Sequence, residues 1–134
     1  MAKLNQIEGI GLKYTLLLQE QAIEDQDQLL QRCGTRKQRE QLAEQTGICV
    51  KLILKWTKQA DLGRIKGIGF EFAELLEQSE IDSVTLLAQF EANQLSEHLK
   101  TANDKVRLVK HMPGTSQLNS WIEQAKTLAP AVFY

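Results

Sequence analysis

The residues best suited to chemistry in this chain are Gly9-Ile10-Gly11 and the cations that follow them. A Gly-aliphatic-Gly turn that feeds straight into a helix gathers backbone N–H groups and the positive end of the helix dipole at one spot, which suits a phosphate oxygen. The glycines admit positive φ and close backbone approach, and Ile10 is expected to plug the gap between the flanking helices. Lys13, two residues past Gly11, is placed to reach a backbone phosphate. Arg36, Lys37 and Arg39 form a basic cluster, and Lys51, Lys55 and Lys58 recur at spacings of four and three, a one-sided stripe on a helix. Gly9, Ile10, Gly11, Lys13 and these two basic groups are the candidate nucleic-acid contacts. Contacts of this kind bind DNA or RNA through phosphate, without base preference.

Other chemistries find little support. His98 and His111 are the two histidines, and neither sits in a His-x-Glu arrangement. There is no Cys-x-x-Cys pair, no phosphate loop ending in Gly-Lys-Ser/Thr and no nucleophile motif. The chain is expected to be non-catalytic, with no metal and no cofactor.

The turn occurs twice. Ile7-Glu8-Gly9-Ile10-Gly11 returns as Ile65-Lys66-Gly67-Ile68-Gly69, an offset of 58 that also relates Tyr14 to Phe72, Leu17 to Leu75, Leu18 to Leu76, Ile23 to Ile81 and Leu29 to Leu87. Trp56, Gln59 and Ala60 match Trp121, Gln124 and Ala125 at an offset of 65, so the second copy carries about seven extra residues. Two related units, 1–61 and 62–134, are expected to pack as one compact body. They differ in charge at the turn. The residue matching Lys13 is Glu71, followed by Glu74 and Glu77, so phosphate approaching the second turn meets like charge.

An upstream aliphatic, Gly-hydrophobic-Gly and a small residue four positions on describe Ile7, Gly9, Ile10, Gly11 and Thr15, and again Ile65, Gly67, Ile68, Gly69 and Ala73. This pattern resembles the helix-hairpin-helix superfamily. The two turns stand 58 residues apart, farther than in the paired-hairpin domains that grip both strands of a duplex. Residues 4–128 also resemble the DUF4332 family, on Ile65-Lys66-Gly67-Ile68-Gly69, the stretch 106–113 and Trp121-Ile122-Glu123-Gln124-Ala125. That resemblance implies a fold and assigns no activity.

The elements that must position these residues are helices. Leu, Gln, Glu, Lys and Ala are abundant, and apolar residues recur at three- and four-residue spacing, so the fold class is all-α. Gly11 and Gly69 precede helices of about ten residues. Asp25 or Asp27 is expected to cap a helix carrying Leu29 and Leu30, and Asp82 to do the same ahead of Leu86 and Leu87. Thr35 and Gln38 form a capping box for a helix ending near Gln45, with Gly47 as its stop. A helix over 49–60 turns Ile53, Trp56 and Ala60 inward. Leu42 to Trp56 imitates a helix-turn-helix, but Val50 and Leu54 on its outward side cannot hydrogen-bond base edges, so a packing corner is the better reading. Helices are also expected over 91–100, over 105–111 and from Ser116 to Leu128, with a turn at Pro113-Gly114. Trp56 and Trp121 are read as core seals.

A length of 134 residues with 43% hydrophobic content suffices for a core without staples. The net charge of −1 divides unevenly: residues 1–60 hold nine Lys or Arg against seven Asp or Glu, a balance of +2, and residues 61–134 carry −3. A polyanion should prefer the first half. Cys33 and Cys49 fit no zinc or redox spacing, no apolar leader opens the sequence, and no apolar run is long enough for a membrane, so a cytoplasmic protein is expected. The competing reading is a protein-interaction adaptor, docking a partner on the second repeat, on the Glu71, Glu74 and Glu77 face, or on the apolar tail Ala131-Val132-Phe133-Tyr134.

Overall fold

The computed structural model describes residues 10–134. Among these residues the chain is all-α, with eight helices and no strand. It divides into two compact units, the first running to Asp61 and taking in Ala131–Tyr134, the second spanning Leu62–Pro130. No helix among the described residues is long and apolar enough to cross a membrane.

In the first unit, α1 (Leu12–Glu20), α2 (Gln26–Cys33), α3 (Arg36–Thr46) and α4 (Val50–Leu62) surround Ile10, Leu18, Ile23, Leu29, Ile53 and Trp56. Local signals set the ends. The Asp25 carboxylate accepts the Gln28 amide at 2.8 Å, Thr35 and Gln38 form a reciprocal capping box, and Gly47 closes α3 in the left-handed conformation at φ +75°. Burying the α4 stripe Ile53, Trp56 and Ala60 removes apolar surface worth about 25 cal/mol per Å². Residues Ala131–Tyr134 return to this unit. Ala131 and Val132 pack on its core, and the Phe133 amide donates to the Gly34 carbonyl at 2.7 Å. Gly34 lets the tail approach: a Cβ there would lie 2.8 Å from the Ala131 carbonyl oxygen.

The second unit holds α5 (Phe70–Gln78), the short α6 (Val84–Leu87), α7 (Ala92–Val106) and α8 (Thr115–Thr127), with α8 packed on α6 and α7. Two expectations are corrected here. The cap of α6 is Ser83, whose hydroxyl accepts the Leu86 amide at 3.1 Å, and not Asp82. Residues 107–111 are not helical: α7 runs on to Val106 and stops at Arg107 in the left-handed conformation. The cause is Asn103, whose carboxamide accepts the Val109 amide at 3.1 Å and donates to the Val109 carbonyl at 3.0 Å. That side chain occupies the backbone groups a continuing helix would need.

The two units share local geometry at matched positions. Ile10 and Ile68 are each 6% exposed. Tyr14 meets Trp56 at 5.2 Å between ring centroids and 58° between planes, and Phe72 meets Trp121 at 5.2 Å and 59°. These tilted pairs sit in the favourable range for aromatic contacts.

Candidate nucleic-acid interface

Gly11 is the N-cap of α1. Its backbone is extended and no side chain caps the helix, so the first-turn amides are not satisfied by a capping group. That turn contains no acidic residue, and the exposed Lys13 lies within it. Amide donors, the positive dipole end and an ammonium group therefore share one turn, which favours an anion. Ile10 is buried and acts as a packing residue; its side chain is not a surface contact. Gly9 lies outside the described residues.

The matching corner of the second unit is built alike but charged differently. Gly69 caps α5 in the same extended conformation without side-chain help, and Glu71 stands in the first turn. Gln124 grips this corner from α8, accepting the Lys66 amide at 2.8 Å and donating to the Lys66 carbonyl at 3.1 Å. The positive φ lies at Gly67, +103°, where a Cβ would come 3.0 Å from Trp121 Nε1. Gly11 and Gly69 have ordinary φ values of −83° and −88°, with open space beside them, so in the second corner the special conformation belongs to Gly67 and not to Gly69. The expected acidic face is also broken up: Glu71 is exposed, but Glu74 is 7% exposed and accepts from Gln78 Nε2 at 3.3 Å.

The basic residues of the first unit fall into distinct environments. Arg36 and Lys37 are exposed at the start of α3, and Arg36 pairs with Glu40 at 3.1 Å. An exposed pair of this kind is worth little and can be exchanged for another anion. Arg39 is placed otherwise than its sequence neighbours imply. It is 3% exposed, and Nη1 donates to the Cys33 and Gly34 carbonyls, both at 3.0 Å, while Nη2 donates to the Phe133 carbonyl at 2.8 Å. The guanidinium is a structural clasp between the α2–α3 corner and the tail, so Arg39 leaves the set of candidate phosphate contacts. Lys51 is exposed, whereas Lys55 and Lys58 are half-buried and both are engaged within the protein, Lys58 with its ammonium 5.6 Å from the Tyr134 ring centroid.

One cleft of about 280 Å³ brings Arg36, Arg39, Glu40, Val50, Lys51, Leu54 and Tyr134 together, and the surface these residues turn to it is mostly apolar. Lys13 is not among its residues. The sequence reading did not anticipate this cleft. Its signal in the sequence is the pairing of the outward aliphatics Val50 and Leu54 with an aromatic tail.

The chain matches the family described as Domain of unknown function (DUF4332) over residues 1–128. No curated protein and no solved structure matches the chain.

Proposed function

Because the chain belongs to the DUF4332 family, whose description assigns no activity, its function must be argued from its own residues, and we propose that it is a non-catalytic module that binds the phosphate backbone of nucleic acid nonspecifically. In this reading each unit is a helix-hairpin-helix repeat, and the first has kept a usable phosphate site. The observation that carries it is the uncapped N-terminus of α1 at Gly11 with exposed Lys13 in its first turn and no acidic neighbour there. Arg36, Lys37 and Lys51 add exposed positive charge on the same unit.

Four such cations correspond to a slope of about −3 to −4 in log K against log salt for duplex DNA. Fluorescence anisotropy of a labelled oligonucleotide across a salt series measures that slope. No binding at any salt would remove this reading.

The second reading is a protein-docking adaptor. It is favoured by Leu12 and Leu16, 75% and 51% exposed and one turn apart on α1, an unusual display for so short a helix. Pull-downs that survive nuclease treatment and fail with Leu12→Glu would support the adaptor over nucleic acid.

A further inference from the structure

We infer that the cleft beside Tyr134 receives one unpaired nucleobase, so that the preferred nucleic acid is a single strand. The inference rests on the phosphate-binding reading above and adds the substrate class. At about 280 Å³ the cleft falls just below the range of drug-sized pockets, roughly 300–1,000 Å³, and suits a single flat ring system. Its walls include Val50, Leu54 and the Tyr134 ring, and their apolar character matches a base face.

Tyr134 is 68% exposed yet held in place. The backbone before it is fixed by Arg39 Nη2 on the Phe133 carbonyl at 2.8 Å and by the Phe133 amide on Gly34 at 2.7 Å. The guanidinium carbon of Arg39 and the ammonium of Lys58 lie 5.9 Å and 5.6 Å from the ring centroid. A ring already positioned by such contacts gives up little freedom on stacking. Arg36 and Lys51 are exposed at the cleft, and Glu40, also in its lining, pairs with Arg36 at 3.1 Å. Exchange of that exposed pair for a phosphate, together with Lys51, supplies charge for the phosphates that flank a seated base. The surface that the lining turns to the cleft is mostly apolar, which fits stacking on a base face without sequence preference. Bases of an intact duplex are stacked on one another and cannot enter.

The test compares binding of a labelled oligothymidylate and a blunt duplex of equal length at fixed salt. Tyr134→Ala and Tyr134→Leu are each expected to weaken single-strand binding by about tenfold and to leave duplex binding within about twofold, while Tyr134→Trp restores single-strand affinity. Because Leu keeps apolar bulk without a π face, equal loss in both variants separates stacking from packing. If Tyr134→Ala and Tyr134→Leu bind the single strand like the parent protein, or lose both ligands equally, the base site is wrong and the phosphate reading stands. If the parent protein binds neither nucleic acid, both fall together.

Discussion

Arg39 and Phe133, 94 positions apart in sequence, are joined by a 2.8 Å hydrogen bond from the guanidinium to a backbone carbonyl. The same guanidinium holds Cys33 and Gly34, so one side chain ties the end of α2 to the tail.

Replacing Arg39 takes a donor from three carbonyls in a site of low exposure, of which Gly34 keeps another, the Phe133 amide. Arg39→Ala should destabilise the protein by about 2–4 kcal/mol in urea unfolding, and Arg39→Lys, which cannot reproduce the planar fork, should recover only part of it. A loss under about 0.5 kcal/mol for Arg39→Ala would mean the clasp contributes nothing.

The two glycines of the second corner should behave differently. Gly67→Ala forces a Cβ into positive φ and against Trp121, costing about 1–2 kcal/mol. Gly69→Ala has an ordinary φ and open space, and the unfolded-state entropy it removes is offset by the poorer fit of Ala at an N-cap, so its effect should stay within about 0.5 kcal/mol. Thermal melts of the two variants decide this. Equal destabilisation would show that the corner needs both glycines.

These two cases also show how far sequence reasoning reaches. Asp25, Thr35 with Gln38, and Gly47 act within one helical turn, and such contacts are visible in spacing alone. Arg39 is invisible that way, because a cation beside Arg36 and Lys37 looks solvated until the tail is folded against it. A hint was present: Arg39 lies three residues before buried Leu42, on the inward stripe of α3. The helix over 105–111 failed for a related reason. Residues 105–109 have helical spacing, but Asn103 claims the backbone of Val109, a competition that periodicity does not weigh. At the α1 corner, Gly11 and Lys13 follow from the motif itself, whereas the Tyr134 cleft depends on a tail that rejoins the first unit.

Cysteine reactivity offers a pH test. Burial pushes the Cys33 thiol up to about 11, only partly offset by a hydrogen bond with Thr57 and by Arg32 and Arg39, while Cys49 is exposed. One thiol, Cys49, should react promptly with Ellman's reagent in the native protein, and Cys33 only on unfolding. Since the unfolded thiol ionises near 9.0 and the folded one near 11, the unfolded state sheds its proton first as pH rises. The Cys33 contribution to stability is therefore complete below that lower value and declines up to the higher one. Cys33→Ala should lack this component of the alkaline decline, and an identical decline in both proteins would refute the assignment.

The most direct measurement is the salt-dependent affinity of Lys13→Glu for labelled DNA beside the parent protein. The phosphate site at α1 predicts weaker binding and a slope of log K against log salt smaller in magnitude by about one or more. An unchanged dissociation constant and an unchanged slope would contradict it and place any nucleic-acid contact elsewhere on the chain.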